Sequence, residues 1–209
     1  MNCLILLRHG QSEWNLENKF TGLTDISLTE EGRSEAAKAG RLINKLSLKI
    51  DYLYSSVLFR ANETAEIAIK ETDQKEDFIS GNLKMIKNEA LNERDYGELV
   101  GLNKSETTKK FGEKQVHIWR RSYDIPPPSG ESLKNVLERV DPFYQKNIML
   151  NIQDQKNVLV VAHGNSLRAM LICLKLYKPE SISKIEIETG KPLVVYYKNN
   201  ELIEWKKLH

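Results

Sequence analysis

Leu4-Ile5-Leu6-Leu7-Arg8-His9-Gly10-Gln11-Ser12 stands near the start of the chain, and Val158-Leu159-Val160-Val161-Ala162-His163-Gly164-Asn165-Ser166 stands far downstream. Both stretches run from an unbroken apolar segment into His-Gly, then a polar residue, then serine. Short apolar runs without alternation are typical of strands buried on both faces, as in parallel sheets. We therefore predict two buried strands, each followed at its carboxyl end by a histidine.

Helical patterns alternate with predicted strands along the rest of the chain. Thr29 is a candidate N-cap for a helix whose inner face carries small residues such as Ala36 and Ala39. Asp51–Ser55 predicts a second strand, and the alanines after it predict another helix. The remaining expected elements are a strand at Lys84–Lys87, polar helices at Asn103–Phe111 and Glu113–Arg121, a proline-rich loop at Ser122–Gly130, a helix from Leu133 to Tyr144 that Pro142 kinks or breaks, a helix through Leu167 and Leu174, and a terminal hairpin of Leu193–Tyr197 and Leu202–Trp205 around Asn199-Asn200.

The repeated strand-helix units predict an α/β fold, a three-layer α/β/α sandwich around a mostly parallel sheet. Residues 1–209 have the length of one large domain, and 40% hydrophobic with 29% charged residues suits a globular core. The alternative for the end of the chain, from Lys198 to His209, is a tail that closes over the site or frays in solvent.

Charge and apolar patterning exclude several classes of protein. Thirty-one basic against 29 acidic residues give a net charge of +2, so we expect no nucleic-acid partner. The apolar runs are too short for a membrane span, and the first residues lack the charged region and cleavage site of a signal peptide. Cys3 and Cys173 have no C-x-x-C partner and are expected in the core. The expected location is the cytoplasm.

The two histidines are the first candidates for chemistry. Ligands of open α/β sheets bind beyond the carboxyl ends of the strands, which is where His9 and His163 are expected to meet. Each histidine alone has a plainer interpretation as a helix cap or a partner of a buried carbonyl. Zinc held by both is disfavoured, since Arg8 adjoins His9 and no carboxylate stands at ligand spacing, so we expect no metal.

The surroundings of His9 favour an anion. Arg8 can bind phosphate through two parallel hydrogen bonds, and the backbone of Gly10 can approach a ligand closely. Arg60 begins the helix after the second predicted strand, at the same edge of the sheet, although an exposed arginine is its alternative interpretation. We predict a phosphate-binding corner around His9.

Long sequence blocks resemble the histidine phosphatase superfamily and, within it, the 2,3-bisphosphoglycerate-dependent phosphoglycerate mutases. The resemblance covers nearly the whole chain and is carried by these blocks: Leu7–Asn15, Phe20–Gly22, Leu91–Arg94, Tyr96-Gly97, Gly101–Lys104, Trp119–Asp124, Pro126–Pro128, Gly130–Leu133 and His163–Arg168. The blocks within Leu91–Lys104 and Trp119–Pro128 are the specific ones, because simple phosphatases of the superfamily generally lack them. Arg-His-Gly alone is a weak signal.

The resemblance implies interconversion of 3-phosphoglycerate and 2-phosphoglycerate, in glycolysis and gluconeogenesis, with 2,3-bisphosphoglycerate as primer and without metal. His9 matches the nucleophile that becomes phosphohistidine, His163 the group that stabilises the transferring phosphoryl oxygens, and Glu93 the general acid and base. Arg8 and Arg60 complete the catalytic set, and their charges are expected to keep His9 neutral. The implied substrate contacts are Arg8, Ser12, Asn15, Thr21, Gly22, Arg60, Glu93, Arg94, Tyr96, Lys104, Arg120, Arg121, Gly164 and Asn165.

Several of these residues keep plainer alternatives. Ser12 and Asn15 are also typical loop caps, Glu93 taken alone is a solvated carboxylate, and Tyr96 taken alone is a packing residue. Most of the positive charge between Asn103 and Arg121 is expected on a solvated helix face. A second phosphate and a carboxylate nevertheless need cations, which Lys104, Arg94, Arg120 and Arg121 can supply.

The chain departs from the family pattern at four places. Leu23, Phe59 and Asp95 stand where tryptophan, lysine and histidine are usual, and Pro128 leads directly to Gly130 where many members carry an insertion at the mouth of the site. The short connection leaves lid closure and the oligomeric state, monomer or homodimer, open.

Two rival functions remain at this point. A phosphomonoesterase with the same phosphohistidine would hand the phosphoryl group to water. A protein that only binds phosphorylated ligands would form no phosphoenzyme. The expected partners are small phosphoglycerates.

Overall fold

A computed structural model describes residues 1–209 as a central sheet covered by helices on both faces. The strands are β1 (Asn2–Arg8), β2 (Tyr52–Ser55), β3 (Met85–Lys87), β4 (Val158–Ala162), β5 (Leu193–Lys198) and β6 (Glu201–Lys207). The helices are α1 (Glu13–Leu16), α2 (Glu30–Asn44), α3 (Phe59–Lys70), α4 (Lys75–Ile79), α5 (Lys104–Phe111), α6 (Glu113–Arg121), α7 (Leu133–Phe143), α8 (Leu150–Gln153), α9 (Gly164–Cys173) and α10 (Pro179–Ile182).

The sheet has six strands in the order β3-β2-β4-β1-β5-β6. The first four strands in this order run parallel to one another, and β5 and β6 are antiparallel to their neighbours. The predicted β1 and β4 are direct neighbours in register, with Arg8 opposite Ala162. The two histidines that follow these strands therefore leave the same edge of the sheet side by side.

Two apolar layers hold the helices on the sheet. On one face α7 and α9 pack over side chains such as Leu4, Leu6 and Val160. On the other face α2 and α3 pack over Ile5 and Leu7, among others. The alternate residues of β1 thus point into opposite cores, as expected for a strand buried on both sides. The predicted three-layer α/β/α sandwich is confirmed.

The α-helix that contains Pro142 ends one residue later, at Phe143, and the disturbance expected at this proline, a kink or a break, takes the form of a change of helix type. Proline lacks an N–H and cannot complete the α-helical hydrogen-bond pattern. The chain continues instead as a π-helical segment over Tyr144–Met149 and returns to α geometry in α8. The wider turn absorbs the disturbance without interrupting the apolar face, on which Tyr144 and Ile148 stay buried.

The chain ends in the predicted hairpin, with β5 and β6 joined by Asn199 and Asn200. Both residues have positive φ, 52° and 66°, which asparagine tolerates better than most residues. Cys3 is a buried residue of β1, and Cys173, at the end of α9, is half-buried; both are free thiols. None of the helices combines the length and apolar character that a membrane crossing requires.

Candidate active site

His9 lies immediately after β1, buried at the carboxyl edge of the sheet. Its Nδ1 is 2.7 Å from the carbonyl oxygen of Gly10. Because a carbonyl only accepts, the proton of the neutral ring is on Nδ1, and the lone pair is on Nε2. The ring is therefore held in the tautomer that a nucleophile needs.

His163 forms the N-cap position of α9 and is fully buried. Its ring centroid lies 5.0 Å from that of His9, with the two ring planes 57° apart. Nε2 of His163 is 2.7 Å from the hydroxyl oxygen of Ser56, and Nδ1 is buried without a partner. The strand pairing of β1 with β4 thus brings the two predicted histidines together.

Both rings are neutral at physiological pH. Burial, followed by the charges of Arg60 and Arg8, holds the pKa of His9 well below its usual value. Burial and Arg60 also hold the pKa of His163 well below its usual value. The expected effect of the two arginines on His9 is present, but loss of hydration is the larger cause.

Arg8 and Arg60 supply fixed positive charge beside the histidines. Arg8 donates to the carbonyl of Ile187 at 2.7 Å, and its Nε is buried without a partner. Arg60, on the first turn of α3, is buried and donates to the carbonyls of Gly22 and Thr24 at 2.9 and 2.8 Å. Burial lowers the pKa of Arg60 to about 10, so it remains a cation at neutral pH.

Glu93 lies in the loop after β3, and the structure buries it in the same site. Its Oε1 accepts hydrogen bonds from the backbone N–H of Arg94 at 2.8 Å and from the side-chain amide of Asn165 at 3.0 Å. Burial alone would raise the pKa of this carboxyl, but these hydrogen bonds, with Arg8 and Arg60, hold it below its usual value. Glu93 is therefore an ionised carboxylate in the resting site.

Tyr96 and Arg94 form a stacked pair next to Glu93. The guanidinium carbon of Arg94 is 4.7 Å from the ring centroid of Tyr96, and its Nη2 donates to the carbonyl of Arg120 at 3.0 Å. Burial would raise the pKa of Tyr96, but the Arg94 guanidinium holds it below its usual value. Arg94 is itself fully buried, with Nε and Nη1 unpartnered. It lies behind Tyr96 instead of lining the open cavity.

A cavity of about 470 Å³ extends from this corner to the surface. The predicted residues that line it are Arg8, Asn15, Glu93, Tyr96, Lys104, Arg120, Arg121, Gly164 and Asn165. A smaller, adjoining cavity of about 60 Å³ is lined by His9, Thr21, Gly22 and Arg60, among others. Burial lowers the pKa of both Lys104 and Arg120, which marks them as partly desolvated cations.

Ser12 lines neither cavity. It is buried at the N-cap of α1, where its hydroxyl accepts from the backbone N–H of Asn15 at 3.3 Å. The side chain of Asn15 in turn accepts from the backbone N–H of Ser12 at 3.2 Å. The reciprocal pair is a capping box, and it fixes the loop from which Asn15 reaches the cavity.

Several residues of the site were not predicted. Those that line the large cavity include Gln11, Glu35, Glu186, Glu188, Thr189 and Lys191. Ser56 contacts His163, and Arg168 lines the large cavity while donating to the carbonyl of Ile185 at 3.0 Å. Arg139 of α7 donates to the carbonyls of Ala90, Asn92 and Glu93 and forms a two-pronged ion pair with Glu131. Arg168 ends the block His163–Arg168 that carries the family resemblance, one helical turn after Gly164, whereas no sequence signal marks Arg139.

No group of three or more histidine, cysteine, aspartate or glutamate side chains in the structure is arranged to hold a metal ion.

Comparison with known proteins confirms the resemblance inferred from the sequence. Residues 4–206 match the model of the histidine phosphatase superfamily, branch 1. A 2,3-bisphosphoglycerate-dependent phosphoglycerate mutase from Parvibaculum lavamentivorans is 51% identical over 92% of this chain and 89% of its own length. The protein of the same name from Bradyrhizobium diazoefficiens is 52% identical over 91% of this chain and 89% of its own length.

Solved structures agree on the fold. A mycobacterial glucosyl-3-phosphoglycerate phosphatase superposes with a TM-score of 0.79, at 23% identity over 99% of this chain and 97% of its own. A Bacillus stearothermophilus protein called YhfR superposes with a TM-score of 0.79, at 23% identity over 97% of this chain and 95% of its own. At this level of identity the likeness speaks for the architecture alone.

Proposed function

The chain belongs to the histidine phosphatase superfamily and, within it, to the family of the 2,3-bisphosphoglycerate-dependent phosphoglycerate mutases, and on that premise we propose that it interconverts 3-phosphoglycerate and 2-phosphoglycerate through a phosphohistidine at His9. One observation supports the proposal above all others. The corner lined by His9 and Arg60, with the ring of His163 5.0 Å from that of His9, adjoins a cavity lined by Lys104, Arg120 and Arg121. A ligand with two phosphates needs both regions. The reaction would serve glycolysis and gluconeogenesis in the cytoplasm.

His9 is the nucleophile in this proposal. Nδ1–H is held by the Gly10 carbonyl, so Nε2 attacks phosphorus and forms the P–N bond while the P–O bond to the leaving hydroxyl oxygen breaks. Arg8, Arg60 and His163 surround the transferring group, whose charge builds up on its equatorial oxygens. The unpartnered Nδ1 of His163 and Nε of Arg8 gain hydrogen-bond partners when those oxygens arrive.

Glu93 moves the proton that the two half-reactions exchange. As a carboxylate it takes the proton of the attacking substrate hydroxyl when phospho-His9 gives up its phosphoryl group. The protonated Glu93 then returns that proton to the leaving oxygen in the reverse transfer, after the bisphosphate has reoriented. Asn165 and the Arg94 N–H hold the carboxylate in place at both stages.

The residues present fit a bisphosphate primer. The buried Nε of Arg8, which has no partner, lies next to the cluster of Lys104 and Arg120 in the large cavity, and together these cations match an anion with several charges. When bound, 2,3-bisphosphoglycerate supplies the phosphoryl group that charges His9. The proposal needs no metal ion.

A phosphomonoesterase is the second candidate, and one feature favours it. Residues 126–130 lie outside the cavity lining, and this short connection packs on the turn at Gly97, where the Glu98 N–H donates to the Pro128 carbonyl at 3.0 Å. The connection therefore does not cover the cavity, and water has access to the phosphoenzyme.

The test is turnover of 3-phosphoglycerate in an enolase-coupled assay, with and without 2,3-bisphosphoglycerate, with chelator present and free phosphate recorded in parallel. We expect 2-phosphoglycerate that depends on the bisphosphate and survives the chelator. His9→Ala should abolish phosphoenzyme and turnover, while His117→Ala, at an exposed position on α6, serves as the matched control. Release of free phosphate without isomerisation would show that the protein is a phosphomonoesterase and not a mutase. Mutase activity in His9→Ala would refute the mechanism through phospho-His9.

A further inference from the structure

The peptide group between Gly10 and Gln11 connects the nucleophile to a carboxylate outside the catalytic set. Its carbonyl accepts from Nδ1 of His9 at 2.7 Å. Its N–H, contributed by Gln11, donates to Oε2 of Glu35 at 2.7 Å. One rigid, planar unit therefore carries a hydrogen bond to His9 on one side and a hydrogen bond to Glu35 on the other.

Two glycines make this arrangement possible. A Cβ on Gly10 would lie 2.1 Å from the carbonyl oxygen of Gly32, and a Cβ on Gly32 would lie 2.1 Å from the carbonyl oxygen of Gln11. The turn after His9 thus rests directly on the backbone of the first turn of α2. Glu35 follows Gly32 by three residues, so its side chain lies on the same face of α2 and reaches the Gln11 N–H.

The remaining polar groups of the turn are also paired. The Gly10 N–H donates to the hydroxyl of Thr64 at 3.1 Å, and the Gln11 carbonyl accepts from the Thr29 N–H at 2.9 Å. The turn is therefore held from both flanking helices, α2 and α3. Among the hydrogen bonds made by the backbone groups of Gly10 and Gln11, the one with Glu35 involves a charged group. Charge-assisted hydrogen bonds are roughly twice as strong as neutral ones.

We propose that Glu35 is a positioning residue for the nucleophile: through the Gly10–Gln11 peptide, its carboxylate holds the His9 ring in the tautomer and orientation that leave Nε2 free to attack phosphorus. The inference rests on the proposed phosphohistidine and deepens it. A carboxylate on the N–H polarises the peptide and strengthens its carbonyl as an acceptor for Nδ1–H. The logic is that of a nucleophile oriented by a third group, here with a backbone amide in between.

A purely structural role for Glu35 is the alternative. Its other oxygen, Oε1, accepts from the hydroxyl of Thr189 at 2.9 Å and so anchors the segment that leads into β5. Thr189→Val removes the hydrogen bond to Oε1 and keeps the hydrogen bond between Glu35 and the Gln11 N–H. Glu35→Gln keeps the size of the side chain and an acceptor for the Gln11 N–H but removes the charge. Glu35→Leu removes both hydrogen bonds.

The first readout is formation of the phosphoenzyme in a single turnover with 2,3-bisphosphoglycerate. We expect its rate to fall about tenfold in Glu35→Gln and about hundredfold in Glu35→Leu, by analogy with the range typical when the outer hydrogen-bond partner of a metal-binding histidine is removed. KM should stay within about twofold of wild type. A fall in kcat without a rise in KM is not what loosening of the cavity wall would give.

The second readout needs no activity. Two-bond ¹⁵N–¹H spectra of the histidine rings, with His9 assigned by difference from His9→Asn, should show the Nδ1–H tautomer in wild type and in Thr189→Val. Glu35→Leu should show a mixture of His9 tautomers. Glu35→Gln should show an upfield shift of the His9 Nδ1 proton, and this variant decides the question if Glu35→Leu does not fold. Ring spectra identical to wild type in the Glu35 variants would overturn the inference. A wild type that forms no phosphoenzyme would instead overturn the proposed function, while the ring spectra still decide the role of Glu35.

Discussion

The hydroxyl oxygen of Ser56 lies 2.7 Å from Nε2 of His163 and also accepts a hydrogen bond from the backbone N–H of Leu58 at 3.2 Å. The hydroxyl proton has no acceptor within the protein other than Nε2, so the hydroxyl donates to Nε2. His163 then carries its own proton on Nδ1, the buried atom without a protein partner. Ser56 thereby sets the tautomer with which His163 meets a phosphoryl oxygen.

Ser56→Ala should therefore lower kcat about tenfold and the free energy of unfolding by about 1–3 kcal/mol, the cost of leaving a buried polar group without its partner. The neighbouring Ser55 is equally buried and bonds the Val161 carbonyl at 3.2 Å, away from the histidines. Ser55→Ala is the matched control and should lose stability alone. Steady-state kinetics and urea unfolding measure the two effects; an unchanged kcat in Ser56→Ala would show that Nε2 does not depend on this hydroxyl.

The two buried neutral histidines should make the protein sensitive to acid. Their folded-state pKa values are well below the usual value, chiefly through burial, whereas each binds a proton in the unfolded chain below about pH 6.5. Their contribution to stability is thus complete above pH 6.5 and is lost as the pH falls below it. The slope approaches about 1.4 kcal/mol per pH unit for each histidine.

Urea unfolding between pH 7 and pH 5 measures this slope. Replacing both His9 and His163 by asparagine should remove most of it, whereas His117→Asn, at an exposed position, should leave it unchanged. The carboxylate of Glu93, whose pKa is lowered, stabilises the fold throughout this range. It adds to the pH dependence only at more acidic pH, because its stabilisation is lost as the pH falls below the unfolded value of about 4.3. An equal slope in the double variant would show that other groups take up the protons.

Arg139 lies outside the cavity, but its loss should affect stability and activity as much as the loss of a residue that contacts the substrate. It fixes the carbonyls of Ala90, Asn92 and Glu93 from α7, with donor distances of 2.8 to 3.1 Å. Arg139→Lys keeps the positive charge but loses the planar guanidinium whose N–H groups reach the three carbonyls together. We expect a loss of about 3 kcal/mol in the free energy of unfolding, since several buried acceptors lose their donors.

The same substitution should lower kcat, because the loop that carries Glu93 loses its support. Arg41→Lys, in the exposed ion pair with Glu71, is the control and should change neither quantity. Chemical unfolding and steady-state kinetics measure the pair. If Arg139→Lys lost stability with normal kcat, the loop would be held without α7.

Arg121 should separate isomerisation from formation of the phosphoenzyme. It lines the large cavity but not the corner around His9. Arg121→Ser should raise KM for 3-phosphoglycerate about tenfold to hundredfold, as expected for loss of a charged hydrogen bond, and leave labelling of His9 in place. Lys109→Ser, on the exposed face of α5, is the control. Loss of labelling in Arg121→Ser would place this arginine in the phosphoryl-transfer step itself.

Most of the framework was predictable because it is encoded locally. The apolar runs before His9 and His163 predict buried strands, and parallel pairing then brings the histidines to one edge of the sheet. Arg60 was predictable from its position at the start of the helix after β2, and Glu93 from the sequence block Leu91–Arg94 in which it stands. The hairpin at Asn199 and Asn200 was predictable because its turn depends on two adjacent residues.

The contacts that the sequence did not predict depend on backbone atoms of distant segments. Arg139 acts on three carbonyls some 46 to 49 residues away, and a carbonyl has no sequence signature. Glu35 reaches the turn after His9 only because Gly10 and Gly32 let two backbones touch. Local chemistry at Pro142 predicts a kink or a break, but the π-helical form that this disturbance takes depends on the packed face on either side.

The central place of β1 has a consequence for synthesis on the ribosome. The strand is the first to be made, yet its neighbours in the sheet begin at Val158 and Leu193. At about 5–20 residues per second, roughly 8 to 30 s pass before the first strand that pairs with β1 has been translated, although α2 and α3, which pack over Ile5 and Leu7, emerge earlier. During that interval the apolar stretch Cys3–Leu7 is a target for holding chaperones, and the nucleophile beside it is assembled only when the last quarter of the chain emerges.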